Sequence, residues 1–139
     1  MSIETTTRIM TGYIDALLHG GDYGAFFSND VLWTTMETGD QVKGRDAVRD
    51  YIAALHTQIF DAHPEARVSA ASDGHAFFEA DFVGTHIGEF AGIAPTGTDI
   101  RVPYCVVYDV SDDGIEALRG YLPVSLMISQ LEAAARATV

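Results

Sequence analysis

The chain has 139 residues, with twenty acidic side chains against eight basic ones and a formal charge of −12. A domain of this length buries ~70% of the surface that its unfolded chain exposes, so a core with a cavity needs neither disulfides nor metal. Because the basic residues are scattered and the surface repels phosphate, we expect no nucleic-acid binding. No run approaches the about 20 apolar residues of a membrane span, so we expect no membrane partner. The single cysteine, Cys105, and the lack of a signal-like start predict one cytoplasmic domain over residues 1–139.

Three segments have the apolar spacing of helices. The first covers residues 5–19, places Tyr13 on its apolar stripe and ends at two glycines. A short aromatic segment follows it at residues 23–27. The other two helices are predicted over residues 45–60 and 125–137.

The remaining segments read as strands bounded by turn-forming residues, over residues 31–37, 66–71, 75–90, 99–110 and 115–122. Glycine and proline separate two of them at residues 92–97, and Ser-Asp-Asp-Gly at residues 111–114 indicates a hairpin. Helices followed by a long antiparallel meander predict an α+β fold with helices covering one face of the sheet. Long strands must bend, and a bent sheet around helices makes a cone whose interior is the expected binding site.

Strand parity predicts which side chains face that interior. The even positions of the two longest strands are mainly apolar: Ala76, Phe78, Ala80, Phe82, Gly84, His86, Ile100, Val102, Tyr104, Val106, Tyr108 and Val110. Odd positions carry Glu79 and Asp81, which we expect to face solvent or a partner subunit. In the first strand, parity leaves open whether Trp33, Thr35 and Glu37 or their neighbours face inward. In the last strand, Arg119 marks the outer set, with Ile115, Ala117 and Tyr121, and leaves Leu118, Gly120 and Leu122 inside.

Few polar side chains are candidates for chemistry in this interior. His86 ends an apolar face, which would keep its imidazole neutral and able to act as a base. Tyr104 and Tyr13 are candidate hydrogen-bond donors to a developing enolate, or buried tyrosines that only satisfy their own hydroxyls. Glu37 is either a carboxylate at the mouth of the pocket or a solvated strand end.

Other chemistries are not indicated. Cys105 falls on the outer face while His86 points inward, which argues against a thiol nucleophile. The five histidines show no metal-ligand spacing, and the glycines form no phosphate loop. We therefore expect no metal and no cofactor.

Residues 84–97, Gly-Thr-His-Ile-Gly-Glu-Phe-Ala-Gly-Ile-Ala-Pro-Thr-Gly, resemble a signature of SnoaL-like polyketide cyclases. These belong to the superfamily of nuclear transport factor 2, with scytalone dehydratase, ketosteroid isomerase and limonene-epoxide hydrolase. The order of elements is similar over nearly the whole chain. The resemblance implies a cone-shaped α+β domain, a homodimer through the outer sheet face, and aldol-type ring closure or a related reaction. His86 belongs to the signature, where it either reacts or bonds the adjacent turn.

Some positions that carry chemistry in these relatives hold other residues here. The matching run Leu118-Arg119-Gly120-Tyr121 places Gly120 where cyclases and epoxide hydrolases have an acid–base aspartate. The cyclases' glutamine and histidine would fall on Tyr104 and Val106. The base of the steroid isomerases falls near Thr35, and their pocket tyrosine matches Tyr13.

We therefore expect an enzyme that isomerises, dehydrates or cyclises a small apolar carbonyl compound without a cofactor. His86 and Tyr104 are the predicted catalytic residues, and the predicted pocket residues are Tyr13, Trp33, Thr35, Phe78, Phe82, Val106, Leu118, Gly120 and Leu122. A module that binds a small molecule or another subunit without catalysis is the alternative. An epoxide hydrolase that uses Glu37 or Asp81 is a further one.

Overall fold

Seven strands form one curved mixed sheet within residues 2–137, the part of the chain that the computed structural model describes. The strands are β1 (Phe27–Thr35), β2 (Gln41–Lys43), β3 (Phe60–Ala62), β4 (Glu65–Ala71), β5 (His75–His86), β6 (Asp99–Ser111) and β7 (Gly114–Tyr121). Their order is β2-β1-β7-β6-β5-β3, and β4 also pairs with β5. β1 is parallel to β7, and the other described pairs are antiparallel. The first residue and the last two of the predicted domain lie outside the described residues.

Three α-helices pack with this sheet: α1 (Ile3–Leu18), α2 (Arg45–Ala54) and α3 (Val124–Ala137). The hydroxyl of Ser2 accepts the backbone N–H of Thr5 and caps the start of α1. A 3₁₀ turn (Tyr23–Phe26) precedes β1, and a π-helical turn (Leu55–Ile59) extends α2. The α+β fold with a curved sheet around helices, predicted from the sequence, is confirmed.

The inward faces of β5 and β6 agree with their parity. Phe78, Phe82, Val102 and Tyr108 are all buried, and in β1 the inward set contains Trp33 and Thr35. Leu118, Gly120 and Leu122 of the last strand region also face inward.

The prediction that Ile115 faces outward is wrong. Its side chain is fully buried. The pairing of β6 with β7 shifts by one residue between Asp109 and Val110, and this bulge turns Ile115 toward the core.

The core consists of two apolar clusters at opposite ends of β5 and β6. One cluster packs Ile9 and Tyr13 of α1 against Phe78 and Tyr108. The other packs Met127 and Leu131 of α3 with Phe82 and Phe60, among others. Tyr104 touches both clusters, so it lies at their junction.

The outer face of the sheet carries the charged side chains, as parity predicts. The Asp81 carboxylate accepts two hydrogen bonds from the Arg67 guanidinium, at 2.9 and 2.7 Å, and one from Arg101 at 2.9 Å. The Arg67 hydrogen bonds hold the pKa of Asp81 below its usual value. Arg101 also binds Glu65, so this outer cluster is internally paired.

Several boundaries differ from the sequence prediction. β1 begins four residues earlier than expected, and β5 ends at His86 because the chain turns away there. The predicted second helix ends at Ala54, and its last residues form the π-helical turn. β2 and β3 were not predicted because each is only three residues long. Within residues 2–137, no helix is long and apolar enough to cross a membrane.

Candidate active site

A small cavity lies between the two core clusters. Its volume is about 30 Å³, which is room for a water-sized group. Most of its lining is apolar or aromatic, and the lining residues are Tyr13, Leu17, Trp33, Tyr51, Ile52, Leu55, His56, Phe78, Phe82, Tyr104, Val106, Tyr108 and Leu122. No carboxylate is among the described lining residues.

A surface groove of about 410 Å³ adjoins this cavity. It runs between the end of α1, the π-helical turn and the segment that links β3 to β4. Leu17 and His56 line both the groove and the cavity. These two side chains therefore form the boundary between the outside surface and the interior.

His56 is held in one orientation by the backbone. Its Nδ1 lies 2.7 Å from the carbonyl oxygen of Ile52, one helical turn earlier. Because a carbonyl can only accept a hydrogen bond, Nδ1 carries the proton and Nε2 keeps its lone pair. Nε2 is buried and has no hydrogen-bond partner within the described residues. Burial lowers the pKa of His56, and the Ile52 hydrogen bond opposes this only in part. The imidazole is therefore a neutral base with a free acceptor nitrogen.

His56 was not among the residues predicted for the site, although a signal for it was present. His56 follows Ile52 by four residues, so a continuing α-helix places it on the same apolar face of α2. It lies in the π-helical turn, a local distortion that is frequent at functional sites. The sequence shows the spacing but does not show the distortion.

Tyr104 also lines the cavity and supplies a candidate donor. Burial raises the pKa of its hydroxyl, so the hydroxyl keeps its proton at neutral pH. Among the described residues we find no hydrogen-bond partner for it. The ring of Phe82 contacts both residues, with its centroid 5.7 Å from that of His56 and 6.1 Å from that of Tyr104.

The other tyrosines of the cavity have partners. The hydroxyls of Tyr13 and Tyr108 interact with each other, and burial raises the pKa of both. The ring centroids of these two residues are 5.6 Å apart. Tyr51 places its hydroxyl 3.5 Å from the Thr35 hydroxyl. Tyr104 is thus the cavity tyrosine with a donor to spare.

Trp33 lines the cavity from β1, which lies across the strand order from β3, the strand that lines the groove. Its indole N–H donates to the Thr35 hydroxyl at 2.9 Å, and its ring packs against Tyr51 with centroids 5.5 Å apart. A Cβ atom added at Gly120 would lie 2.5 Å from the indole carbons Cη2 and Cζ2. The indole therefore fills the space that a side chain at position 120 would need.

The positions that carry chemistry in the resembling enzymes do come together in space. Thr35 pairs with Gly120, and Gly120 pairs with Val106, so the three form one row across β1, β7 and β6. The Thr35 hydroxyl is engaged by Trp33, and the other two positions have no polar side chain. This row supplies no acid or base here.

His86, the base expected from the sequence, does not reach the cavity. Its Nδ1 accepts the backbone N–H of Thr96 at 3.1 Å and lies 3.0 Å from the Thr96 hydroxyl. The ring packs on Phe60 of β3, with centroids 5.5 Å apart. His86 thus fastens the loop between β5 and β6, and its part in turnover stays a prediction.

The two carboxylates considered for epoxide hydrolysis also lie outside the cavity. Asp81 is on the outer face with its two arginines. Glu37 accepts the backbone N–H of Ser125 at 3.2 Å and also binds its hydroxyl. These Ser125 hydrogen bonds lower the pKa of Glu37, which faces the first turn of α3 from the surface.

Seven of the side chains expected at the pocket line the cavity: Tyr13, Trp33, Phe78, Phe82, Tyr104, Val106 and Leu122. Thr35 and Gly120 do not, because the indole of Trp33 covers them. Leu118 is buried beside Trp33 in the sheet and His86 lies behind Phe60, so neither contributes to the lining.

The fold is the cone-shaped α+β fold of the nuclear transport factor 2-like type. The family model of SnoaL-like polyketide cyclases matches residues 9–131. The chain therefore belongs to the SnoaL-like polyketide cyclase family, as its signature predicts. A search of curated proteins finds no match.

Solved structures of distant sequence share the fold. A protein of Xanthomonas campestris pv. campestris, provisionally described as a polyketide cyclase, is 20% identical with a TM-score of 0.78, over 93% of this chain and 98% of its own. A similarly described SnoaL-like protein of Jannaschia sp. CCS1 is 14% identical with a TM-score of 0.81, over 94% of this chain and 93% of its own. A Catenulispora acidiphila protein with a ketosteroid isomerase-like fold, in complex with trimethylamine, is 20% identical with a TM-score of 0.71, over 91% and 94%.

Proposed function

We propose that the protein is a cofactor-free enzyme that moves protons on a small, mainly apolar carbonyl compound. His56 removes a proton from the carbon next to the carbonyl group. Tyr104 donates a hydrogen bond to the oxygen that becomes negative. The observation that carries the proposal is that two residues of one cavity lining each carry an unpaired polar group: His56 has the buried acceptor Nε2, and Tyr104 has the donor hydroxyl.

The volumes indicate how such a compound would be held. The cavity has room for a water-sized group, and a carbonyl group is of that size. The groove of about 410 Å³ falls in the range of small-molecule sites and would take the apolar remainder. The α-carbon would then lie at the boundary, where His56 is.

The proton balance needs no further reagent. Nε2 takes the α-proton, and the electron pair of the C–H bond moves to the carbonyl oxygen as an enolate. Return of the proton to another carbon isomerises the compound. Loss of a β-hydroxyl as water dehydrates it, and attack of the enolate carbon on a second carbonyl closes a ring. The low pKa of His56 keeps the base unprotonated at neutral pH, and general-base catalysis of this kind contributes ~10²–10⁴-fold in rate.

Exchange of α-protons for deuterium tests this chemistry without knowledge of the natural substrate. We expect the protein to catalyse exchange into 2-octanone in D₂O, followed by proton NMR, above the buffer rate. His56→Gln should lower the protein-dependent rate at least ~100-fold.

His63→Gln is the matched control, because His63 lines the same groove but is exposed and bound to Asp61. It should keep the rate within a few-fold of wild type. Equal losses in the two variants, or no exchange above buffer by the wild type, would refute the proposal.

The row of Thr35, Gly120 and Val106 supplies no acid or base, and this favours a second candidate, a module that holds a ligand or a subunit without catalysis. Native mass spectrometry of freshly purified protein separates the candidates. A small molecule that is retained and recovered unchanged after long incubation supports the module, whereas conversion of that molecule supports the enzyme.

We also propose a homodimer through the outer sheet face. In support, Val68, Glu79, Cys105 and Tyr121 form one row across β4, β5, β6 and β7, and Val68 and Tyr121 are each 49% exposed. Burial of these apolar side chains would favour association. Light scattering should give a dimer mass for wild type and a monomer mass for Tyr121→Glu. A wild-type monomer at micromolar concentration would contradict the dimer.

A further inference from the structure

The indole of Trp33 is fixed in place at the inner end of the cavity. Its side chain is buried, its N–H is bound to Thr35, and its ring contacts Tyr51 on one side and the backbone at Gly120 on another. The groove is lined by β3, which lies across the strand order from β1, and it meets the cavity at Leu17 and His56. A compound that enters from the groove therefore meets the indole after a short distance.

We infer that Trp33 determines specificity by the position of the carbonyl group: it admits compounds whose carbonyl is terminal or next to a methyl group, and rejects those with a longer chain beyond it. This inference rests on the proposed function for the direction of entry. The cavity holds the carbonyl group with no more than a hydrogen or a methyl group beyond it, and the apolar tail stays in the groove. Aldehydes and methyl ketones form the substrate class.

Removal of the indole should extend the cavity toward the row of Thr35, Gly120 and Val106. That row has two positions without polar side chains, and the Thr35 hydroxyl keeps Tyr51 as a partner. The enlarged space would accept an alkyl chain on the far side of the carbonyl. Trp33 thus separates two classes of ketone by size alone.

Two isomeric ketones test this directly, because 2-octanone and 4-octanone have the same atoms and differ only in the place of the carbonyl. One extra methylene in an apolar pocket changes binding by about 10–200-fold, so wild type should bind 2-octanone at least tenfold more tightly. Trp33 is the only tryptophan of the chain, so its fluorescence reports occupancy in wild type. Ligand-detected NMR measures affinity in the variants.

Trp33→Ala should bind the two isomers within about threefold of each other. If this variant does not fold, Trp33→Leu serves, with the preference reduced to an intermediate value. Phe60→Leu is the control, since Phe60 is a buried aromatic residue outside the cavity lining and its loss should leave the preference unchanged.

Equal binding of both isomers by wild type, or an unchanged preference in folded Trp33 variants, would overturn the inference. The readout is binding, so it is independent of catalysis. No exchange above buffer by wild type, or an undiminished rate in His56→Gln, would refute the proposed function and leave this binding result intact.

Discussion

A single methyl group at position 120 should disturb the site through Trp33. In Gly120→Ala the new Cβ atom would start 2.5 Å from two carbons of the indole, well inside contact distance. The indole cannot move without loss of its hydrogen bond to Thr35 and its packing on Tyr51. Overpacking of this kind costs about 1–3 kcal/mol of unfolding free energy.

The test is a double-mutant cycle on unfolding in urea. Trp33→Ala alone should cost about 3–5 kcal/mol, because it empties a buried aromatic site. In that background the added methyl group meets no indole, so Gly120→Ala should cost less, with a coupling energy of about 1–3 kcal/mol.

Gly12→Ala provides the matched control for this cycle. Its Cβ would also start 2.5 Å from a ring carbon, but that ring belongs to Phe26. Its effect should add to that of Trp33→Ala within about 0.5 kcal/mol. Additive effects of Gly120→Ala and Trp33→Ala would mean that the indole does not occupy this space.

Three further predictions concern the polar groups. Tyr104→Phe should lower the rate of α-proton exchange in 2-octanone by about 10²–10³-fold, while the affinity for the ketone changes only a few-fold. An exchange rate near that of wild type would show that Tyr104 takes no part in the mechanism. The pKa of His56 is lower in the folded protein than in the unfolded chain, so the unfolded chain takes up a proton first as the pH falls below about 6.5. The free energy of unfolding of wild type should therefore fall by up to about 1.4 kcal/mol per pH unit in that range, relative to His56→Gln. Parallel urea curves of the two proteins at pH 7.5 and 5.5 would contradict that. Thr96→Val removes the hydroxyl that lies beside His86 Nδ1 and accepts the Thr98 N–H. The variant should lose about 1 kcal/mol of unfolding free energy and show faster amide exchange in residues 88–98. Unchanged exchange there would show that the hydroxyl does not hold the loop.

The fold could be predicted from the sequence because it depends on periodicity. The alternation along β5 and β6 is long enough to fix which side chains are inward, and Arg119 fixes β7 for most of its length. Parity failed at Ile115, since the sequence gives no sign of the bulge that shifts the register. Short strands such as β3 have too few residues to show a period.

The site could be predicted only in part. Strand parity shows which face of the sheet a side chain lies on, but it does not show which other residues cover that side chain. His86 faces inward as expected, yet Phe60 from the unpredicted strand β3 packs on its ring and loop residue Thr96 binds its Nδ1. Parity left the face of Trp33 open, and its cover over Gly120 depends on the pairing of β1 with β7. His56 has the helical spacing from Ile52 that could have singled it out, but the sequence does not show the π-helical turn in which it lies. The contacts of His86 and the cover over Gly120 are tertiary effects that no local pattern encodes.

Side-by-side exchange rates of His56→Gln and His86→Gln, with 2-octanone in D₂O, compare the two buried histidines as bases. The loss should fall on His56→Gln, by at least ~100-fold, while folded His86→Gln stays within a few-fold of wild type. The reverse order would show that proton abstraction occurs behind Phe60 and not at the junction of cavity and groove.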